Sequence, residues 1–350
     1  MIQQLSLSSI FVDEKGKQHT ASDGRKVGVA VDSLIANYSF KYFGKDKGVS
    51  VYTFIDERQS LFYSSVFSAS EREAAYVLDG LLDNDVVRSD MHSSDTHGFT
   101  ETVFGASHFI QTAYAPRIKN IGRQTLYAFS SKQHYADKGY QILPSRTINT
   151  KLIKEHWGDI LRFMATILLK RETASQLFKR LSSYAKENPL YKALKEFGRI
   201  IKSLFILQYY DDVKLRQRIE KQLNRIELSN KFGRAIFFDN NGEFQKPSPE
   251  EQAIITACQV IIQNSIVLWN YLYLSQSLVN IDDKEERQTI IDAIGTGSVL
   301  AWRHVNLIGA FDFRGLAANS ALFDMVMCQH FLGHTIKQLF ELPRILQVIN

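Results

Sequence analysis

Three carboxylates stand in contexts that could converge on a metal site: Asp23 in Ser22-Asp23-Gly24, Asp95 in Ser94-Asp95-Thr96-His97-Gly98, and Glu227 in Leu223-Asn224-Arg225-Ile226-Glu227. Hard divalent cations such as magnesium take oxygen ligands and keep open positions for water and phosphate oxygens. Phosphodiester chemistry therefore needs a few converging carboxylates and little else. Each acid also has a plainer reading. Asp-Gly is a common turn dipeptide, Asp95 can be a helix N-cap, and Glu227 can pair with Lys231 at i, i+4 for only about 0.3–0.5 kcal/mol. Asp32 and Glu220 are nearby rivals. His92 and His97 flank Asp95 and suggest a zinc or dimetal alternative, but they lack the i, i+4 spacing of a zincin, and no further His-rich segment completes four ligands.

The elements that must position these acids divide at about residue 149. Val27 to Val31 reads as a short strand after a turn centred on Asp23-Gly24. Gly48 to Ile55 alternates as Val49, Val51, Thr53 and Ile55, and Leu61 to Phe67 gives a third strand. Ser70 and Glu73 form a capping-box pattern before a helix carrying Ala74, Val77, Leu78, Leu81 and Leu82. Asp85 to Ser94 would return to the sheet and leave Asp95 at a strand end, where ligands gather in α/β sheets. Thr96 or Thr100 starts the next helix, Pro116 stops it, and Gln124 to Ser130 is a last strand-like stretch. The expected order is β-β-β-α-β-α-β in a mixed sheet.

From Asn149 the period becomes helical: Leu152 to Leu169, Thr173 to Ala185, Leu190 to Tyr210, and Asp212 to about Phe237, with a break at Asn188-Pro189. Glu227 falls on the last of these. After Pro247-Ser248-Pro249 come helices over 249–280 and 283–293, and Trp302 to Phe313 closes that unit.

At 350 residues the chain can hold two ordinary domains, or one with a large insertion. Its 45% hydrophobic and 23% charged residues exclude wholesale disorder and a coiled coil. Cys258 and Cys328 lie in apolar sequence without a C-x-x-C spacing, and are expected as buried thiols in a reducing cytoplasm. No basic flank precedes an apolar core at the start, and no run approaches eighteen apolar residues, so neither export nor a membrane span is expected. The net charge of +5 is uneven: residues 151–235 carry 19 Lys and Arg against 9 Asp and Glu, or +10, leaving −5 elsewhere. That basic segment is either a solvated helical face or the footprint of a polyanion, and it leads directly to Glu227. There is no P-loop, zinc knuckle or internal repeat, which disfavours ATP hydrolysis.

The strings Thr20-Ala21-Ser22-Asp23-Gly24-Arg25, Val31-Asp32-Ser33-Leu34, Lys41-Tyr42-Phe43-Gly44-Lys45-Asp46-Lys47-Gly48-Val49, Ser94 to Glu101, Phe104-Gly105 and Tyr114-Ala115-Pro116-Arg117-Ile118 occur in one order. They are followed by Gln222 to Glu227, Arg234 to Phe238, Val267 to Asn270 and His304 to Gly309. Over roughly residues 12–313 this closely resembles the C-terminal catalytic region of the Tn-three family of bacterial transposases. The resemblance implies an α/β fold with an RNase H-like mixed sheet core, a large helical insertion before the catalytic glutamate and a helical C-terminal region. The units would be 12–148 for the first part of the core, 149–211 for the insertion, 212–245 for the helix with Glu227, 246–313 for the C-terminal region, and an unassigned tail over 314–350.

By the same resemblance the catalytic and metal-binding triad falls on Asp23, Asp95 and Glu227. Two Mg2+ ions, which Mn2+ could replace, would support cleavage of one strand at the transposon end and transfer of the freed 3′ hydroxyl into target DNA. Arg117, Arg225, Lys231, Arg234 and His97 are the candidate DNA contacts. The partners would be the terminal inverted repeats, target DNA and a second copy in a homodimer, in the bacterial cytoplasm. Family members are far longer, and Met1 barely precedes the first motif, so end-recognition modules are expected to be missing. Ile226 stands where many relatives have glycine and Asn230 where histidine is frequent, which alters the surroundings of the glutamate. A truncated, inactive remnant that binds DNA or a partner transposase is the alternative, and an RNase H-like nuclease acting outside transposition is a third reading.

Overall fold

A near-continuous apolar run, Val49 to Ile55, becomes the most deeply buried strand of a mixed six-stranded sheet in the computed structural model, which describes residues 2–12, 16–95, 99–183 and 188–307. The strands of that sheet are β1 (His19–Gly28), β2 (Asn37–Tyr38), β3 (Lys47–Ile55), β4 (Leu61–Ser68), β5 (Met91–Ser94) and β6 (Ala113–Tyr114). β1 lies between β3, antiparallel, and β5, parallel; β6 extends the sheet beyond β5, while β2 and β4 share the other edge of β3. The short helix α1 (Phe40–Phe43) separates β2 from β3, and α2 (Val77–Leu82) and α3 (Glu101–Phe109) flank β5.

Four local expectations fail here. Asp23-Gly24 is not a turn but the middle of the ten-residue β1, because β3 pairs with it from Ala21 to Gly28 and β5 from His19 to Ser22. Continuous pairing with β3 through these two residues outweighs a two-residue turn preference. The Ser70–Glu73 capping box does not form either: Arg72 precedes a single 3-10 turn over Glu73–Ala75, and α2 starts only at Val77. Glu73 is drawn instead to Lys26, 3.6 Å away. The return strand is also shorter than expected, confined to β5. The strand-like stretch after Pro116 leaves the main sheet altogether: β7 (Tyr127–Ala128) pairs with β8 (Arg146–Thr147) in a separate two-stranded ribbon that brackets α4 (Lys132–Asp137).

The basic segment folds as α5 (Thr150–Glu155), α6 (Trp157–Leu168), α7 (Ala174–Ser183), α8 (Pro189–Asp211) and α9 (Val213–Ile236). Asn188 caps α8 by accepting from Tyr191 N with Pro189 at the first position, and Asp212 caps α9 by accepting from Leu215 N. Ile160, Met164, Phe178 and Leu194 bury their side chains with Leu78 and Ala106, so this helical layer is bolted to α2 and α3. The α3–α8 crossing is tight enough that a Cβ on Gly198 would sit 1.6 Å from Glu101 O.

α10 (Pro249–Val279) and α11 (Lys284–Thr296) complete the described chain. By length and composition α10 could cross a membrane, against the sequence expectation. Its polar residues are nevertheless used inside the fold: Asn264 pairs with the backbone of Leu61, Gln263 with Ser229, and Asn270 with the carbonyls of Val299 and Ala301. Cys258, expected to be buried, is exposed on α10, since the helical turn that sends Gln259 inward faces its neighbour outward. Trp302 stacks on Phe232 of α9, centroids 4.8 Å apart. Cys328 and the 314–350 tail lie outside the described residues.

Candidate active site

The register of two parallel strands sets the first pair of acids. Ser22 of β1 lies opposite Ser94 of β5, so the next residue on each strand, Asp23 and Asp95, emerges at the same level of the sheet. A buried polar ladder fixes that register. His92 is fully buried, with Nδ1 2.8 Å from Thr20 Oγ1 and Nε2 2.8 Å from Ser22 Oγ, while the Ser22 and Ser94 hydroxyls lie 2.6 Å from the hydroxyls of Tyr52 and Tyr114. Burial pushes the His92 pKa down to about 3, so the ring is neutral. With both nitrogens engaged it is a strut between strands, which removes it from the metal ligands considered from sequence.

Glu227 reaches the same place from α9. Asp23, Asp95 and Glu227 line one open cleft of about 820 Å3, together with Glu73, Asn230, Lys231 and Arg234. Arg117 ties the acids together. Its backbone N donates to Ser94 O at 3.0 Å, which sets it beside Asp95. Its Nη2 then lies 3.1 Å from both Asp95 Oδ1 and Glu227 Oε1, and its Nη1 lies 3.1 Å from Glu220 Oε1. The oxygens of Asp95 and Glu227 are thus no further apart than two such contacts end to end. The rival Glu220 shares this guanidinium rather than displacing Glu227 from it. Asp32 lies apart, paired with Lys47 at 3.2 Å on the surface.

Asp23 is held differently. Its Oδ2 accepts from Asn230 Nδ2 at 2.9 Å, and Asn230 Oδ1 accepts in turn from Thr53 Oγ1 at 3.3 Å. Burial, followed by the negative field of Glu73, pushes the Asp23 pKa up to about 7; the Asn230 bond works against this and Asp95 adds to it. From sequence Glu73 reads only as a capping residue, not as part of this site. Its carboxylate fills the place that a Cβ on Gly24 would occupy, 2.2 Å from Oε1, which gives Asp-Gly at this position a steric reason unrelated to turns. The signal that hid Glu73 was its resemblance to a capping glutamate.

The donors here are hard oxygens converging on one cleft, a donor set that fits a divalent cation. In this conformation the cage is not closed: among the described residues no three His, Cys, Asp or Glu side chains lie close enough to hold one ion. Arg117 occupies the space between Asp95 and Glu227.

Of the candidate DNA contacts, Lys231 and Arg234 are exposed and line the cleft. Arg117 is committed to three carboxylates. Arg225 does not line the cleft: it is buried on another face of α9, with Nη1 2.9 Å from Gln222 Oε1 and its guanidinium over the Phe11 ring. The i, i+3 spacing of Gln222 and Arg225 turns it toward the N-terminal segment, away from the cleft. His97 lies outside the described residues. Ile226, at the position of the expected glycine, is fully buried in the main core, and Asn230, at the position of the expected histidine, is the donor to Asp23.

A mixed α/β domain that gathers carboxylates from a strand pair and a distant helix into one cation-walled cleft is the class defined by this fold and site. The chain belongs to the Tn3 transposase DDE domain family, whose model matches residues 1–311. It is 34% identical, over 84% of its length, to the transposase for transposon Tn1546 of Enterococcus faecium, covering 29% of that protein. It is also 34% identical to the transposases for Tn2501 of Escherichia coli and Tn501 of Pseudomonas aeruginosa, in each case over 84% of its length and 30% of the relative's. The chain therefore spans about 30% of the length of the curated relatives it matches.

Proposed function

We propose that this chain is the RNase H-like catalytic part of a transposase, cutting one DNA strand at a transposon end and joining the freed 3′ hydroxyl to target DNA. Asp23, Asp95 and Glu227 carry the chemistry. The observation behind this reading is that three acids separated by up to 204 positions line one cleft, two of them on a single guanidinium. Two Mg2+ ions, or Mn2+, would be held by these carboxylates and would stabilise the attacking and leaving oxygens of an in-line displacement.

The chain's own groups do the rest. Asn230 and Thr53 hold the Asp23 carboxylate in one orientation, and Lys231 and Arg234 offer the phosphate backbone two cations at the cleft wall. Arg117 balances the charge of Asp95 and Glu227, and an ion held by those carboxylates would compete with it for their oxygens. The partners in this reading are transposon-end and target DNA in the bacterial cytoplasm, with a second copy completing a homodimer.

Incubating the native chain and Glu227→Gln with pre-cut transposon ends, a target duplex and Mg2+ tests the proposal. Nicking or strand transfer by the native chain alone supports it. A second reading, a DNA-binding relative without turnover, draws on the guanidinium standing between Asp95 and Glu227 and on the altered Ile226 and Asn230. Salt-sensitive DNA binding with no metal-dependent turnover on any pre-cleaved substrate would favour it.

A further inference from the structure

One rim of the carboxylate cleft is a hairpin whose surface chemistry the catalytic reading leaves unused. Its legs are β2 and the start of β3, paired as Asn37 with Gly48 and Tyr38 with Lys47. Its tip, residues 39–46, closes through Phe43 N to Ser39 O at 2.8 Å and Gly44 N to Phe40 O at 3.1 Å, with Gly44 at φ +60°. Phe43 anchors the tip to the sheet, because its ring covers Gly48 so closely that a Cβ there would lie 2.2 Å from Cζ.

The other rings face outward. Phe40 is 85% exposed, Tyr38 61% and Tyr42 53%, an unusual concentration of aromatic surface on ten residues. Lysines lie against them: the Nζ atoms of Lys41 and Lys26 lie 5.0 and 5.7 Å from the Tyr42 ring centre, and that of Lys47 lies 5.5 Å from the Tyr38 ring; Lys26 and Lys47 also pair with Glu73 and Asp32, which leaves Lys41, of these three, as the cation turned to the cleft. Lys41, Tyr42 and Phe43 also line the cleft that holds Asp23, Asp95 and Glu227.

We infer that this hairpin is a stacking platform for unpaired DNA bases beside the phosphate held in the cleft, with Phe40 and Tyr42 supplying ring faces and Lys41 gripping a flanking phosphate. The inference rests on the proposed function, since it takes DNA as the occupant of the cleft. The chemistry selects that occupant. An apolar protein partner has no use for a cation such as Lys41 set against the Tyr42 ring, whereas a strand presents π-faces and phosphates at one spacing. A scissile bond at the end of a duplex is reached more easily if neighbouring bases leave the stack, and exposed aromatic wedges hold them out. Anchorage through Phe43 and Gly48 keeps the platform in fixed relation to β1, and hence to Asp23.

The test is equilibrium binding of the full chain, in EDTA, to a fluorescein-labelled 20-nucleotide single strand, to the matching duplex, and to that duplex with an unpaired tail. Phe40→Ala and Tyr42→Ala are each expected to weaken the single-strand and tailed complexes by about 5- to 100-fold, the range of ring–base stacking, and the blunt duplex by less than about twofold. Phe40→Trp should restore binding and Phe40→Leu should not. Unchanged binding, an equal loss on all three probes, or rescue by leucine would overturn the platform; leucine rescue with a change in sedimentation would make the rings a contact between copies. Because no metal is present, the catalytic reading is judged separately by turnover: a chain that stacks bases but never cuts keeps this inference and loses the other.

Discussion

Arg117 Nη2 lies 3.1 Å from Glu227 Oε1 across 110 positions of sequence, and the same nitrogen is 3.1 Å from Asp95 Oδ1. A guanidinium therefore already stands where the acids of α9 and β5 meet. A divalent ion entering the cleft competes with it. Arg117→Ala is expected to tighten Mn2+ binding by about three- to tenfold, the scale of a partly exposed ion pair, as read by isothermal titration. Weaker binding would show that Arg117 organises the acids rather than shielding them.

Glu227 and Glu220 share that arginine, yet only Glu227 lines the cleft with Asp23 and Asp95. Glu227→Gln should lower Mg2+-dependent strand transfer on pre-cut ends by at least about 100-fold, or roughly 2.7 kcal/mol of barrier. Glu220→Gln should stay within about threefold. Equal losses would return Glu220 to the catalytic set.

Burial raises the pKa of Asp23, and two neighbours adjust it in opposite directions. Asn230→Ala removes a donor to the carboxylate and should move its titration upward from about 7, whereas Glu73→Gln removes a negative field and should move it downward. Carboxyl 13C chemical shifts against pH read both. Since a metal needs the ionised form, Mn2+ affinity at pH 7 should fall in the first variant and rise in the second.

The buried neutral ring of His92 makes acid stability depend on the strand pair itself. Its native pKa of about 3 lies below the ordinary value, so between pH 6.5 and 3 the unfolded chain binds a proton that the native chain refuses. Stability from this group is full above pH 6.5 and declines as the pH falls. Relative to His92→Gln, whose amide does not titrate, the native chain should lose about 2 kcal/mol between pH 7 and pH 5 in urea unfolding. A pH-independent difference would place the ring in contact with water.

Gly198 allows α8 to lie on α3, with Glu101 O occupying the space of the missing methyl. Gly198→Ala should cost about 1–3 kcal/mol by overpacking, measured as a shift in the urea midpoint, even though alanine favours an isolated helix. A gain in stability would mean that the two helices separate easily.

Much of this was legible beforehand where a long period dominates. β3, β4, α9 and α10 follow from alternation or helical spacing sustained over eight or more residues, and the placement of Asp95 at a strand end follows from the polar run after Ser94. Short signals misled wherever partners outvoted them. Asp23-Gly24 reads locally as a turn but is held straight by its pairing with β3, Glu73 reads as a cap but turns to Lys26 and Gly24, and Arg225 reads as one more cation on a basic helix but faces the N-terminal segment.

The sequence alone determined which acids were available, the helical character of the segment between them and the family to which the chain belongs, because ordered motifs and periodicity are written in one dimension. Only the tertiary structure decided that Arg117 bridges Asp95 and Glu227, that Asn230 orients Asp23 and that burial, with Glu73 beside it, raises its pKa. Those are Coulombic and hydrogen-bonding relations that decay within a few ångströms, and residues 23, 73, 95, 117 and 230 acquire such distances only when β1, β5 and α9 pack together.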